Sequence, residues 1–220
     1  MFLQIEQFLS ANEIALICAS ARQAKFIDGR HTNPHNVTKN NVIVDPVDPQ
    51  GQQAAQIALA AYQRSEEVRS FAVPRRVAPP QLLRYGPGQN YGAHVDAAFM
   101  LVGRQALRSD LSSTVFLTDP SAYDGGELVI YLGSETVKIK GRAGQALLYP
   151  STTLHEVKPV TLGERLVMIT FIESHIVDPL RRELLYSLNE VRALEGLKME
   201  WHNRMRLEYV ATNLQRLWSQ

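Results

Sequence analysis

The chain has 220 residues, 45% of them hydrophobic and 20% charged, with a formal net charge of +1, which is typical of a globular protein and excludes a disordered or collagen-like chain. The near-neutral charge gives no electrostatic basis for binding nucleic acid or an anionic membrane surface, and we expect neither as a partner. The chain has a single cysteine, so we expect no internal disulfide. No apolar run approaches the ~20 residues of a membrane span and the N-terminus has no basic start, so we expect a cytoplasmic protein.

The N-terminal part of the chain, residues 1–77, is predicted to be a helical support region. Ser10 and Glu13 have the spacing of a capping box ahead of an apolar run, which predicts a helix that ends near Arg22. The stretch QQAAQIALAAYQRSEEVRSF, residues 52–71, is rich in helix formers and carries apolar residues at helical spacing. It predicts one further amphipathic helix.

The middle part, residues 78–176, has the pattern of a β-domain. Its strand-like segments are QLLRY, STVFLT, ELVIYL, TVKIK, QALLYP, HEVKPV and RLVMITFIES. Turn signals separate them, namely GPG, DGGE, GRAGQ and TLGE. Many short strands with little room for crossover helices predict an antiparallel sandwich or barrel.

The last part, residues 177–220, returns to apolar residues at helical spacing. The pattern predicts two helices that are separated near Gly196. The chain is therefore expected to be mainly β, with flanking α-helices at both ends.

Four of the six histidines have ordinary structural interpretations. His31 and His35 have a spacing that would bring them together on a helix, but Pro34 precludes that helix, so we expect loop residues. His175 lies at a predicted strand end, and His202 lies among charged residues on a predicted helix. We expect surface or hydrogen-bonded roles for both.

His94 and Asp96 differ, because they lie two positions apart in GPGQNYGAHVDAAF, residues 86–99. Residues two apart on a strand face the same side of the sheet. If that side is the interior, an imidazole and a carboxylate enter a low-dielectric region, which is costly unless they pair or bind a metal. The pair alone leaves a buried hydrogen bond and a metal site as alternatives.

Arg165 opens a predicted strand and shares its face with the apolar residues Val167 and Ile169. A buried arginine needs an anionic partner. Glu164 points the other way, and Glu173 lies at the far end of the strand. A ligand carboxylate would satisfy the guanidinium bidentately, which a lysine could not do.

His155 opens another predicted strand and completes a set of two histidines and one aspartate with His94 and Asp96. This is the ligand set of non-haem Fe(II) oxygenases, which leaves three coordination positions open. A 2-oxo acid fills two of these positions and O₂ the third, while Arg165 would hold the distal carboxylate of that acid. A zinc hydrolase is disfavoured because it leaves Arg165 without a role.

Three segments carry a family resemblance: LLRYGPGQNYGAHVDAAFM, LRSDLSSTVFLTDPSAYDGGELVI and AGQALLYPSTTLHEVKPVTLGERLVMITFIES. They resemble the Fe(II)- and 2-oxoglutarate-dependent dioxygenases of the prolyl 4-hydroxylase-like group, and more narrowly the bacterial PKHD-type hydroxylases. The resemblance implies a double-stranded β-helix (jelly-roll) core. It also implies iron ligation by His94, Asp96 and His155, 2-oxoglutarate binding by Arg165, and L-ascorbate as a reductant of the iron.

The reaction that the resemblance implies is decarboxylation of 2-oxoglutarate to succinate and CO₂ with insertion of oxygen into a substrate. A siderophore or other small molecule fits the family's association with iron uptake, whereas kinship with prolyl hydroxylases favours a peptide. The alternative function is a sensor or interaction module that binds iron and 2-oxoglutarate without turnover. Tyr85 or Tyr91 could contact 2-oxoglutarate, and a homo-oligomer is not excluded.

Overall fold

A computed structural model of the protein describes residues 1–33 and 36–220. Its helices are α1 Ala11–Gln23, α2 Pro49–Arg64, α3 Glu66–Ala72, α4 Pro179–Glu195 and α5 Trp201–Trp218. In the part of the chain that the structure describes, no helix is both long and apolar enough to cross a membrane. His31 lies in a short 3₁₀ helix, Gly29–Thr32, and His35 lies outside the described residues.

The first predicted helix is confirmed and the second prediction is wrong in one respect. Ser10 and Glu13 form the predicted capping box at the start of α1. The single helix expected over residues 52–71 is instead divided between α2 and α3 by Ser65. Ser65 has an extended backbone and its hydroxyl accepts a hydrogen bond from the amide of Val68, so it ends one helix and caps the next.

The strands are numbered in chain order. They are β1 Leu3–Ile5, β2 Phe26–Asp28, β3 Lys39–Asn40, β4 Val42–Val44, β5 Pro74–Val77, β6 Gln81–Tyr85, β7 Asn90–His94, β8 Phe99–Val102, β9 Gln105–Arg108, β10 Leu111–Phe116, β11 Tyr123–Gly125, β12 Leu128–Leu132, β13 Glu135–Ile139, β14 Ala146–Pro150, β15 His155–Val157, β16 Val160–Gly163 and β17 Arg165–Ser174.

Two antiparallel sheets form the jelly-roll core that the family resemblance implied, in agreement with the sandwich or barrel predicted from the strand pattern. One has eight strands in the order β1-β14-β10-β17-β6-β4-β2, with β5 paired to β17. The other has five strands in the order β13-β12-β15-β7-β3. The strands β1 to β5 come from the first 77 residues, so this region contributes to both sheets as well as supplying helices.

The eight-stranded sheet packs on both of its faces, which explains why β17 is apolar along most of its length. On one face, Leu166 and Met168 join a cluster with Ile17 of α1 and Ala58 of α2. Val167, between them in sequence, joins the cluster shared with the five-stranded sheet. The cavity described below opens between these two sheets.

The expected strands are otherwise found, with two corrections to their connections. The segment HEVKPV was predicted as one strand, but it is divided into β15 and the start of β16. The segments DGGE and TLGE were predicted as turns, but Asp124–Gly125 and Thr161–Gly163 lie in β11 and β16, which pair with each other. These short strands escaped prediction because their pairing is long-range and their sequences are rich in glycine.

The two C-terminal helices, α4 and α5, are confirmed, with a short 3₁₀ helix at Gly196–Lys198 between them. They pack on each other and close over a small cluster of Val73, Ile176, Leu185 and Trp218. They lie beyond the strands that carry the histidine and aspartate residues considered next.

Candidate metal centre

His94 and His155 lie directly opposite each other on the paired strands β7 and β15. The pairing is irregular, because His155 and Val157 are two residues apart whereas their partners His94 and Tyr91 are three apart. The extra residue on β7 is a β-bulge, which changes the side to which the following side chains point. As a result, Tyr91 and His94 face the same side, and their rings stack with centroids 3.6 Å apart.

Gly92 permits this bulge. A Cβ atom at this position would lie 2.6 Å from Oγ1 of Thr38 on the neighbouring segment. The amide of Gly92 donates a hydrogen bond to the carbonyl of Thr38, which fixes the close approach. A side chain here would push β7 away from its neighbour and displace His94.

Both imidazoles are oriented by the backbone two residues before them. Nδ1 of His94 donates to the carbonyl of Gly92 at 2.7 Å, and Nδ1 of His155 donates to the carbonyl of Thr153 at 2.9 Å. With the proton on Nδ1, each Nε2 presents a lone pair. Burial, together with the neighbouring His155, lowers the pKa of His94, which favours the neutral form that metal binding requires.

Asp96 lies just beyond the end of β7, and not on the strand as predicted, yet its carboxylate still faces the two histidines. Its oxygens lie 3.9 Å from Nε2 of His94 and 3.8 Å from Nε2 of His155. The three ligand atoms all lie within 4.8 Å of one another. The buried pair that the sequence could not distinguish from a simple hydrogen bond is thus part of a three-residue cluster.

A chain of buried serines supports the carboxylate of Asp96. Ser112, on β10 of the eight-stranded sheet, donates its hydroxyl to Oδ2 of Asp96. Ser109 donates to Ser151, and Ser151 lies 2.8 Å from Ser112. A carboxylate held in this way has a fixed orientation toward the histidines. Sequence analysis missed these serines, although two adjacent polar residues in a buried strand are a signal of such a role.

Arg165 lies on the opposite wall of the same cavity and is only 2% exposed. Its guanidinium faces the rings of Tyr85, at 5.0 Å, and Phe116, at 5.8 Å. Nε of Arg165 has no hydrogen-bond partner among the described residues. Among the described residues, Glu164 pairs with Arg84 and Glu173 with Arg76, and no carboxylate forms an ion pair with Arg165.

The cavity between the sheets is lined by aromatic and apolar side chains and, in about equal number, by polar and charged ones. Burial raises the pKa of Tyr85 to about 12 and raises that of Tyr149 well above its usual value, so both phenols stay protonated and can donate hydrogen bonds. Tyr91 is already engaged, since its hydroxyl accepts from Asn33 and its ring covers His94. Of the two tyrosines named from the sequence, Tyr85 lies beside Arg165.

Lys39 is a further cavity residue that sequence analysis missed. It is paired with Tyr91 across β3 and β7, and it is 6% exposed. Its Nζ donates to Oγ1 of Thr32 at 2.6 Å. No sequence signal identifies it, because β3 has only two residues and follows a loop.

Comparison with known protein families gives a consistent result. Residues 80–173 match the model of the 2OG-Fe(II) oxygenase superfamily. The chain is also similar to a PKHD-type hydroxylase of Sphingopyxis alaskensis, with 44% identity over 215 residues that cover 98% of each protein. The two proteins are therefore similar along almost their whole length.

Two solved structures have similar folds. A prolyl hydroxylase from Trichoplax adhaerens, in complex with a peptide fragment of the hypoxia inducible factor oxygen degradation domain, gives a TM-score of 0.58 at 16% identity, over 79% of this chain and 83% of that one. HygX from Streptomyces hygroscopicus, with nickel, 2-oxoglutarate and hygromycin B bound, gives a TM-score of 0.54 at 16% identity, over 79% and 82%. At these identities the likeness establishes the fold.

Proposed function

This chain belongs to the 2OG-Fe(II) oxygenase superfamily, among the PKHD-type hydroxylases, and on that premise we propose a role for each residue of the cavity. Membership makes the protein a dioxygenase that uses Fe(II), 2-oxoglutarate and O₂. We propose that His94, Asp96 and His155 hold the iron, and that Arg165 binds the distal carboxylate of 2-oxoglutarate.

The observation that carries this proposal is that one cavity contains both a set of free metal-ligand atoms and a buried guanidinium that can bind a carboxylate. Two imidazoles present Nε2 lone pairs beside a carboxylate, and opposite them lies a buried guanidinium whose Nε has no partner within residues 1–33 and 36–220. Nitrogen and carboxylate ligands in this combination suit Fe(II). A dicarboxylate that spans the cavity would satisfy both sides at once, with its distal carboxylate on Arg165.

The bound iron supplies the activation of O₂ that couples decarboxylation of 2-oxoglutarate to oxygen insertion into a substrate. The chain itself would bind and orient the iron and 2-oxoglutarate, and it would exclude water from them. The Nδ1–H groups of His94 and His155 stay on backbone carbonyls and fix the two ligands. Ser112 fixes Asp96, and the rings of Tyr85 and Phe116 shield the Arg165 guanidinium from water.

We further propose that the product is a hydroxylated small molecule or peptide, that the reaction serves iron uptake, and that ascorbate keeps the iron reduced in the cytoplasm. Peptide and small-molecule ligands both occur in proteins of this fold, since one structural neighbour holds a peptide and the other hygromycin B. Siderophores and peptides should therefore both be screened, with a mass gain of one oxygen as the signal.

The decisive experiment measures succinate release from 2-oxoglutarate by the protein loaded with Fe(II) under air, in the presence of that screening panel. We expect Asp96→Ala to reduce succinate formation by about three orders of magnitude, equivalent to ~4 kcal/mol, because it removes a ligand of the metal. Asp124→Ala is the matched control, since Asp124 is exposed on β11, away from the cavity.

Two outcomes would contradict the assignment. Equal succinate release by wild type and Asp96→Ala would show that Asp96 does not hold the catalytic iron. Tight binding of Fe(II) and 2-oxoglutarate without succinate release across the whole panel would instead support a sensor or interaction module.

A further inference from the structure

Lys39 is a buried cation in the wall of the metal cavity that the proposed reaction does not use. Its Nζ lies 4.8 Å from the centroid of the Tyr91 ring, and Tyr91 in turn stacks on His94. Thr32 accepts one hydrogen bond from the ammonium group. Burial lowers the pKa of Lys39 to about 8, so the side chain is still largely protonated at neutral pH.

Lys39 is buried but lacks the carboxylate partner that three more exposed lysines of this protein have. Lys25, Lys158 and Lys198 are at least partly exposed and lie 2.7 to 3.2 Å from carboxylate oxygens. Within residues 1–33 and 36–220, no carboxylate oxygen lies within 4.0 Å of Nζ of Lys39. The carboxylates of Asp96 and Asp28 favour the charged form of Lys39 from beyond ion-pair distance. A buried ammonium group without a directly contacting anion is still costly, which favours a ligand that supplies one.

The charges of the cavity lead to the same conclusion, on the basis of the function proposed above. The charged side chains that line the cavity are Lys39, Arg165 and Asp96. With Fe(II) bound they leave an excess of three positive charges, and dianionic 2-oxoglutarate neutralises two of them. One positive charge therefore remains after the co-substrate is in place.

2-Oxoglutarate cannot satisfy both cations while it also binds the iron. Arg165 belongs to β17 of the eight-stranded sheet, whereas Lys39 belongs to β3 at the edge of the five-stranded sheet. One end of 2-oxoglutarate is committed to Arg165 and the other to the iron. Lys39 lies on β3, one strand beyond His94 in the order β15-β7-β3, so a co-substrate that joins the iron to Arg165 has no carboxylate left for it.

We propose that Lys39 is a specificity-determining residue that binds an anionic oxygen of the molecule to be hydroxylated. The ammonium group of Lys39 would then accept a carboxylate or similar acidic group of the substrate and place the rest of it over the iron. The enzyme would favour acidic substrates over their neutral analogues. This preference is expected to be strong because a hydrogen bond between charged groups is stronger in a buried cavity wall, where little water competes for it.

The test uses paired probes, a set of small carboxylic acids and the primary amides of the same acids. Binding of each probe is measured by calorimetry to the anaerobic complex of the full chain with Fe(II) and 2-oxoglutarate, so the readout does not depend on turnover. We expect wild type to bind acidic members about tenfold or more tightly than their amides. Lys39→Met, which keeps the length and removes the charge, is expected to abolish the preference.

Two further variants make the result specific. Lys39→Gln keeps a polar group without the charge, so it must also lose the preference and serves if Lys39→Met does not fold. Lys138→Met is the matched control, because Lys138 is exposed on β13, the opposite edge strand of the same sheet. Its preference should equal that of wild type.

The outcomes separate this proposal from the assignment of the iron site. Failure of wild type to form the coloured anaerobic Fe(II)–2-oxoglutarate complex would contradict the iron-site assignment itself. If the complex forms but wild type binds no acidic probe, or binds acids and amides equally, the role of Lys39 is wrong. A tenfold loss of 2-oxoglutarate affinity in both Lys39 variants would show that Lys39 binds the co-substrate instead, and would also overturn the proposal.

Discussion

The two walls of the cavity satisfy their polar groups in different ways. On the five-stranded wall, His94 and His155 direct their Nδ1–H groups to carbonyls only two residues away in sequence. On the eight-stranded wall, Arg165 is buried between aromatic rings and its Nε has no partner in the described chain. The Nδ1–H groups of the histidine wall are therefore paired within the chain, whereas Nε of Arg165 on the other wall is left for a ligand in the proposal above.

Asp96 connects the two walls. It follows β7 of the five-stranded sheet in sequence, but its carboxylate accepts a hydrogen bond from Ser112 of the eight-stranded sheet. Its position thus depends on how the two sheets pack, while the positions of the histidines depend mainly on local backbone geometry. This difference predicts that substitutions on the two walls have effects of different kinds, on iron, on 2-oxoglutarate and on stability.

The largest difference between the effects on 2-oxoglutarate binding and on iron binding is expected from Arg165→Met. Loss of the guanidinium should weaken 2-oxoglutarate binding by about two to three orders of magnitude, or ~3–4 kcal/mol, because the distal carboxylate is left buried without its partner. Iron binding should be unchanged. The free energy of unfolding of the ligand-free protein should rise by about 1–2 kcal/mol, because an apolar group replaces an unpaired buried charge. Calorimetric titration with 2-oxoglutarate and urea unfolding measure the two effects.

Arg104→Met is the control for this substitution, because Arg104 is exposed in the turn between β8 and β9. It should change neither quantity. A variant at Arg165 that lost stability and kept its affinity for 2-oxoglutarate would show that the arginine is structural and that the eight-stranded wall needs no ligand.

A smaller effect, on iron alone, is expected from Ser112→Ala. Removal of the hydroxyl frees the carboxylate of Asp96 to rotate, and loss of such a supporting hydrogen bond typically weakens metal binding by ~10–100-fold. Competition with a chelator measures the iron affinity. Affinity for 2-oxoglutarate at saturating iron should change little, since Arg165 is untouched.

The neighbouring residue provides a matched control on the same strand. Ser113 faces the other side of β10 and accepts a hydrogen bond from the hydroxyl of Tyr62 at 2.7 Å. Ser113→Ala removes one buried hydrogen bond and Ser112→Ala removes two, and the free energy of unfolding should fall by ~1 kcal/mol for each bond lost. Only Ser112→Ala should weaken iron binding, and equal iron affinities for the two variants would remove the serine chain from the site.

The comparison of the walls also explains which features the sequence could predict. The strands that carry His155 and Arg165 were predicted from the patterns of HEVKPV and RLVMITFIES. The strand that carries His94, β7, has no apolar pattern of its own and was suggested only by the spacing of His94 and Asp96. The capping box at Ser10 was equally local. These features depend on residues that are close together in the chain.

The unpredicted features depend on long-range pairing. Ser109, Ser112 and Ser151 meet only because the pairing of β10 with β14 brings two distant segments together. Lys39 enters the cavity on a two-residue strand that carries no periodic signal. The break at Ser65 differs, since serine followed by two glutamates is a recognisable helix start that strong helix propensity on both sides concealed.

The smallest expected effect comes from Gly126→Ala, which tests how tightly the eight-stranded wall confines Arg165. Gly126 has a φ of +65°, and a Cβ atom there would lie 3.1 Å from Cδ of Arg165 and 3.0 Å from Cε2 of Tyr123. Gly133→Ala is the control, because its φ is +66° and no atom lies within 4 Å of the added Cβ. Both variants should lose ~1 kcal/mol or more of stability from backbone strain, but only Gly126→Ala should displace the guanidinium and weaken 2-oxoglutarate binding, by about fivefold. Equal 2-oxoglutarate affinities of the two variants in calorimetric titrations would mean that the wall adjusts to the added methyl group. Binding of the co-substrate would then depend on the free hydrogen-bonding capacity of Arg165 and not on a rigidly fixed position of its guanidinium.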